Sequence, residues 1–317
     1  MPGLFHRRSR SQSGRSDRSD RSSGIVPGSS RPDANGGHGS PDWRSYDLVA
    51  ETYERVSAPR TAEVAADLMA LADPPSGGRA LDVGTGTGVG VEAGEKAVGS
   101  DGVAVGVDPS IGMLRVGAAA RPAIRLVAAE AIDLPFHDGT FDVVTANFVL
   151  SHFRKYDTAL FDMLRVLKPL GRLAVTAWAG ADDEFQATWR SLTEEVVAHE
   201  LMQDALERAM PWEGRFRDPR MLEQTLRDAG LHPVRVERRE YRFRMSLEDY
   251  VETRETAASG RFVRDMLGPE GWESFRERAR ATFRERFPDP LTDFREVLLA
   301  VGTKPPGWTA QDSQTQR

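Results

Sequence analysis

The 317-residue chain contains no cysteine. That single absence excludes disulfides, thiolate metal sites and cysteine nucleophiles. The six histidines form no pair at ligand spacing, so no metal site is expected. No run of eighteen or more apolar residues occurs, so a membrane-spanning helix, and with it a membrane partner, is not expected. The N-terminus also lacks an apolar core followed by small cleavage-site residues, which predicts a cytoplasmic protein. Lysine is scarce, four against 38 arginines. Positive charge is concentrated at one end: residues 1–40 carry seven Arg and three Asp, leaving about −10 on the remainder of a chain whose net charge is −6. An acidic body is poorly suited to tracking a phosphate backbone, so no nucleic-acid partner is expected.

Residues 1–40 are Ser, Arg, Gly and Pro with the imperfect repeat Arg15-Ser-Asp-Arg-Ser-Asp-Arg-Ser-Ser23. They have almost nothing apolar to bury and are expected to be a disordered, solvated tail. Order is expected to begin near Trp43, with one domain over 41–305 and a second disordered tail over 306–317. Helical periodicity covers Asp47–Tyr53 and Thr61–Leu71. Strands are then expected at Arg79–Val83, Gly102–Val107, Ile124–Ala128, Phe141–Asn147 and Arg172–Trp178, with helices at Val89–Val98, Met113–Ala120 and Asp157–Leu167 between them. Strands alternating with helices at this spacing mean a parallel sheet covered on both faces. The last third departs from that rhythm. It offers a long helical region over Asp183–Ala209, a helix from Asp218 to Gly230, a strand over Val234–Phe243, helix from Ser246 through Phe287, and a strand over Arg295–Val301. The expected fold is α/β, a Rossmann-like, doubly wound, seven-stranded, mostly parallel sheet. Helical insertions at about 180–217 and 246–291 would lie as a lid over the carboxyl ends of the strands, where ligands bind in such sheets.

The chemistry is concentrated after the first strand, in Asp82-Val-Gly84-Thr85-Gly86-Thr-Gly88. A strand-to-helix turn that brings backbone close to a ligand needs glycine, because a Cβ would clash. The second strand ends in Val105-Gly-Val-Asp108-Pro109. An acid at that place can accept both hydroxyls of a ribose. A dinucleotide fingerprint would require a third glycine at the place held by Val89, which lets the helix pack close to the strand.

The acid-x-G-x-G-x-G pattern instead resembles the class I S-adenosylmethionine-dependent methyltransferases, and the resemblance extends over about residues 47–178. Its nearest subgroup is the ubiquinone/menaquinone-biosynthesis-like and natural-product small-molecule enzymes. The resemblance implies S-adenosylmethionine as cofactor, held by Asp82, Gly84, Thr85, Gly86, Gly88, Asp108 and Pro109. It further implies that Met113 packs near the adenine, Glu130 receives the adenine amino group and Ala131 offers a backbone N–H to the ring. Glu130 departs slightly from the Asp usual there, and Leu170 replaces a usual Gly in Leu164-Arg-Val-Leu-Lys-Pro-Leu-Gly171. Asn147, at the end of the fourth strand, falls near the methionine part, and Tyr53 and Tyr46 are candidates to close over the cofactor. His152 is the candidate general base, since related enzymes carry a histidine there and imidazole titrates near neutrality.

The implied activity is methyl transfer to oxygen, nitrogen or carbon of a small-molecule acceptor. Nine aromatic residues of the last third (Phe185, Trp189, Trp212, Phe216, Tyr241, Phe243, Tyr250, Phe262 and Trp272) supply mostly lid core, with a subset available to line a pocket for a flat or apolar acceptor. Three rivals stand beside this reading. RNA-directed methylation has the Arg-rich tail in its favour; against it, no cysteine nucleophile exists, and Asn147-Phe-Val-Leu150 replaces the Asn/Asp-Pro-Pro-aromatic motif of base-amine methylation. An NAD-type oxidoreductase is opposed by Val89. A non-catalytic cofactor-binding domain would keep the same glycines and acid.

Overall fold

The computed structural model describes residues 43–308; the expected N-terminal tail and most of the C-terminal one lie outside that range. Seven strands form one sheet: β1 Arg79–Val83, β2 Val103–Asp108, β3 Arg125–Ala128, β4 Phe141–Ala146, β5 Leu167–Ala179, β6 Val234–Met245 and β7 Leu291–Thr303. Their order is β3-β2-β1-β4-β5-β7-β6. All neighbours run parallel except β7, which is antiparallel to both β5 and β6. β1 sits at the reversal of strand order, with Leu81 opposite Val105 on one side and Val144 on the other.

The period of two along each strand divides the core. Leu81, Val83, Val105, Val107, Val144 and Val175 face one side and pack on helix Tyr156–Val166 and helix Pro219–Asp228. Ala80, Ala104, Val143 and Ala174 face the other and pack on helix Ala58–Ala72, through Val64, Leu68 and Met69, and on helix Val89–Val98, through Val91 and Val98. The helices of the domain are labelled α1 Ala58–Ala72, α2 Val89–Val98, α3 Ile111–Ala120, α4 Tyr156–Val166, α5 Glu184–Glu194, α6 His199–Ala209, α7 Pro219–Asp228, α8 Leu247–Thr256 and α9 Ala258–Arg286. Caps agree with the local sequence. Ser110 caps α3, Asp183 and Gln186 form a capping box on α5, and Asp218 caps α7 ahead of Pro219.

The structure departs from expectation in four places. The long helical region over Asp183–Ala209 is two helices, broken where Ala198 takes up an extended backbone. Helix α9 begins at Ala258 and kinks at Gly268, whose φ is +65, just before Pro269. Strands β5 and β7 run 13 residues each, longer than their apolar centres, because pairing with their other neighbours extends them: Leu167 of β5 pairs with Phe141 of β4, and Leu291–Arg295 of β7 pair with β6. Trp308, beyond the expected domain end at 305, is half-buried: its ring lies 5.7 Å from that of Phe161, and its indole N–H donates to the Ala229 carbonyl. The two insertions share one core, in which Trp189, Leu192 and Met202 of the first meet Tyr250, Val251, Val263, Trp272, Phe275 and Phe283 of the second.

Close packing of α2 on β1 and β2 sets the geometry of the site. A Cβ at Gly90 would lie 2.2 Å from an oxygen and 2.4 Å from the Cγ of the buried Asp82 carboxyl. The contact that a dinucleotide fold assigns to its third glycine is made here one residue later. Alanine would gain about 1 kcal/mol of helix propensity over glycine, but overpacking a closed interior costs about 1–3 kcal/mol. The clash therefore wins, and Gly90→Ala is expected to lower stability by about 1–2 kcal/mol in urea unfolding.

Candidate functional site

The loop from Gly84 to Gly88 leaves β1 and crosses the end of β2. The N–H groups of Gly84 and Thr85 both donate to the Val107 carbonyl, at 2.8 and 3.0 Å. Gly86 then donates to Oδ2 of Asp108 at 2.8 Å, and the Ser110 N–H donates to Oδ1 at 2.9 Å. At Gly86, with φ +56, a Cβ would come to 3.4 Å from Met113 Cε and 3.9 Å from the Tyr53 ring. The backbone there is a cradle wall that a side chain would fill.

A cavity of about 550 Å³ opens over this loop, within the size range of small-molecule sites. Gly84, Gly86, Asp108, Pro109, Met113, Glu130, Ala131, Asn147, Tyr53, Tyr46 and His152 all line it. Asp82, Thr85 and Gly88 do not; they shape the wall from behind. Asp82 is buried facing α2 and accepts a hydrogen bond from Thr145 Oγ1 at 2.7 Å. Thr85 is buried beside Gly106, and Gly88 turns toward Ile124 with φ +94 while opening α2.

The N-terminal segment roofs the cavity and is fastened at both ends. Asp47 Oδ1 accepts from the Ser110 hydroxyl and the Gly112 N–H, both at 2.7 Å. Arg121 pairs with Glu54 and Glu92 and donates to the Thr87 carbonyl, tying the roof to the glycine loop. From the lid, Arg261 donates to Ser45 Oγ at 2.7 Å and stands 3.9 Å over the Tyr46 ring. Ser57 and Thr256 share a hydrogen bond at 3.1 Å. Residues Tyr53–Ser57 form one π-helical turn, a wide turn common at functional sites. Burial pushes the Tyr53 phenol up to about 12, so it remains a neutral hydroxyl. The His152 ring lies 6.1 Å from that of Tyr46, edge to face.

At the far end, Asn147 is held by two bonds: its Nδ2 donates to the Thr61 carbonyl at 3.3 Å and its Oδ1 accepts from Thr176 Oγ1 at 2.6 Å. The next residue, Phe148, has φ +56, an uncommon and costly conformation for a bulky side chain. Its N–H donates to Thr176 Oγ1, and its ring stacks on Trp178 at 3.9 Å. Both rings line the cavity, with Arg60, Thr253, Arg254, Thr256 and the mouth residues Arg154, Lys155 and Arg208.

None of the nine aromatics expected from the last third lines the cavity. Trp189, Tyr250 and Trp272 close the lid core, Tyr241 and Phe243 cover the sheet over α1, and Phe216 and Trp212 pack on Tyr156. The insertions must bury a core of their own, and that use takes the rings. The aromatic walls come instead from the roof and the strand ends. Arg60 escaped the sequence reading although a signal was present: it lies one helical turn before Val64 on the apolar stripe of α1, where a charge has to be paired.

Residues 81–175 match the model of a family described as a methyltransferase domain. That segment, 95 of the 317 residues, runs from β1 into β5 and carries the glycine loop and Asp108. The chain is similar to a demethylmenaquinone methyltransferase of Renibacterium salmoninarum, 46% identical over 103 residues, which are 32% of this chain and 42% of that protein. It is also similar to one of Paenarthrobacter aurescens, 36% identical over 156 residues, 49% of this chain and 58% of the relative. The chain thus spans about half the length of the curated relatives it matches. In fold it is similar to the 4+2 cyclase SpnF, with a TM-score of 0.50 and 20% identity over 83% of this chain and 95% of that one.

The matched segment has a donor set that fits S-adenosylmethionine. Each Asp108 oxygen takes one backbone N–H and keeps acceptor capacity at the cavity edge, as two adjacent hydroxyls require. Among the described residues no group of three or more His, Asp or Glu could hold a metal ion.

Burial pushes Asp82 from 3.8 up to about 6, because ionisation beneath the loop forfeits hydration. The unfolded chain loses that proton near its ordinary value. The favourable contribution is therefore complete below about 4 and is lost as pH rises through about 6. Asp82→Asn, which cannot ionise, should gain on the wild type by about 3 kcal/mol between pH 4 and pH 8 in parallel urea titrations. A pH-independent difference would contradict this assignment.

Proposed function

We propose that this chain transfers a methyl group from S-adenosylmethionine to a small organic acceptor. The observation that carries the reading is a single cavity lined by the Gly84–Gly86 backbone, the Asp108 carboxylate and Glu130 together with Asn147, His152 and the Phe148–Trp178 pair. Asp108 would hold the ribose hydroxyls, Glu130 and the Ala131 N–H the adenine, and Met113 its face. Bound there, the cofactor supplies a methyl on a sulfonium whose departing group is a neutral thioether. The protein's task is then alignment and exclusion of water. The roof over Tyr46 and Tyr53 and the end of lid helix α8 around Thr253–Ala257 provide the exclusion, and Asn147 fixes the floor.

A base is needed only where the acceptor must lose a proton. His152 is our candidate because it borders the cavity beside Tyr46. The names of the relatives, demethylmenaquinone methyltransferases, support an acceptor of small, apolar type.

Calorimetric titration with S-adenosylhomocysteine and with NADH tests the cofactor; binding of NADH alone would sink the reading. Asp108→Ala is expected to weaken S-adenosylhomocysteine at least tenfold, about 1.4 kcal/mol. Burial places the Asp108 carboxyl at about 6, and the ionised form is the better hydroxyl acceptor. Affinity should therefore strengthen as pH rises through about 6 and level off above 7. His152→Ala should cut turnover of a methylated acceptor, followed as a gain of one methyl by mass spectrometry, with S-adenosylhomocysteine affinity unchanged. Full activity would return His152 to a packing role.

A further inference from the structure

The cavity wall around Arg60 and Arg254 carries an excess of positive charge, buried at Arg60 and half-buried at Arg254. Arg60 is buried and ion-paired with Asp293, which is 0% exposed. Arg254 and Arg295 are electrostatically coupled to the same pair, and burial drives Arg60 down to about 10 with both of these arginines adding to the shift. Against the three guanidinium groups stand two carboxylates, Asp293 and the half-buried Asp183. Several buried polar atoms of this neighbourhood meet no hydrogen-bond partner among the described residues: Arg254 Nε, Arg295 Nη1, the Tyr250 hydroxyl, Asp183 Oδ2 and Asp293 Oδ1. Arg254 rests its guanidinium 5.4 Å over the Tyr250 ring and lines the cavity.

A guanidinium stays charged, so burying one without an anion is costly. The mouth adds to the same sign. Arg154, Lys155 and Arg208 line it, and an aperture of one charge draws the opposite charge inward. The opposite end of the cavity is acidic, at Asp108 and Glu130.

We infer that Arg254 binds a carboxylate carried by the methyl acceptor, whose apolar body lies against Phe148, Trp178 and Val149. The inference rests on the methyltransferase reading and names its acceptor class. The cofactor also carries a carboxylate, and position argues against that source. Asp293 lies in β7 opposite Phe243 of β6, before the part of β7 that pairs with β5, and β7 is four strand spacings from β2 and its Asp108, roughly 19 Å at about 4.8 Å each. The cofactor's amino-acid end belongs over β1 and β4, nearer the glycine loop. Arg254 itself comes from the insertion between β6 and β7, outside the 81–175 segment that matches the methyltransferase domain.

The test titrates benzoate, 2-naphthoate and anthracene-2-carboxylate, each against its primary amide, into protein saturated with S-adenosylhomocysteine. At least one acid should bind tenfold or more tightly than its amide. Arg254→Gln should abolish that preference, and Arg254→Lys should keep part of it. S-adenosylhomocysteine and 5′-methylthioadenosine, which lacks the amino-acid portion, are titrated into wild type and Arg254→Gln alone. Both should change less than twofold. A tenfold loss confined to S-adenosylhomocysteine would assign Arg254 to the cofactor and overturn the inference. So would equal binding of acid and amide across the panel by the wild type, a comparison that needs no variant to fold. Failure of the wild type to bind S-adenosylhomocysteine would remove the methyltransferase reading and this inference with it.

Discussion

The approach of α2 to the first two strands is the constraint on which the site depends. Gly90 admits the Asp82 carboxyl, Gly94 meets Ala80 and Ala104, and Gly106 leaves room for Val91. With the helix that close, the loop between β1 and α2 is too short to arch away. It is drawn across the end of β2, where its N–H groups find Val107 and Asp108 as acceptors. The ligand-facing backbone and the acid at its edge are therefore products of one packing decision. Asp82, named first by the motif, acts from beneath as a polar contact for Thr145 and as the group that makes Gly90 obligatory.

A second consequence concerns charge. Two carboxylates at the ends of adjacent strands, both buried and both pushed up to about 6, oppose each other's ionisation. Asp108 is relieved by two backbone N–H donors, while Asp82 has a hydroxyl. The difference leaves the exposed edge of the pair, at Asp108, as the one able to meet a ligand.

The alternation of strands and helices from 79 to 178 was legible because each element has its own period and punctuation. Ends were less so where pairing rather than composition sets length, as in β5 and β7. The glycine-loop side of the cavity was readable from contiguous segments, since the glycines, Asp108, Glu130 and Ala131 each lie at a strand end. The opposite side was not. It gathers Arg60 from α1, Phe148 and Trp178 from strand ends, and Arg254 from a helix nearly two hundred residues after Arg60. Only tertiary structure brings these together. Local traces existed: Arg60 and Arg254 stand on apolar stripes, and Leu291, Asp293, Arg295 and Val297 alternate onto one face of β7, so two charges occupy places that a core strand gives to apolar groups.

The fate of the lid aromatics explains why composition misdirects at such a site. The two insertions form a body that has to bury its own surface, and small bodies do so with their largest side chains. Trp189, Tyr250, Trp272, Phe275 and Phe283 are used there, so aromatic content reports lid stability. What the same helices present toward the cavity is Thr253, Arg254 and Thr256 from the edge of α8. A lid with an independent core can exchange these inward residues without loss of fold, while the sheet keeps the cofactor cradle unchanged. On the proposed reading, selectivity for the acceptor and retention of the cofactor would be carried by different elements, joined by the Ser57–Thr256 and Arg261–Ser45 contacts that hold the roof between them.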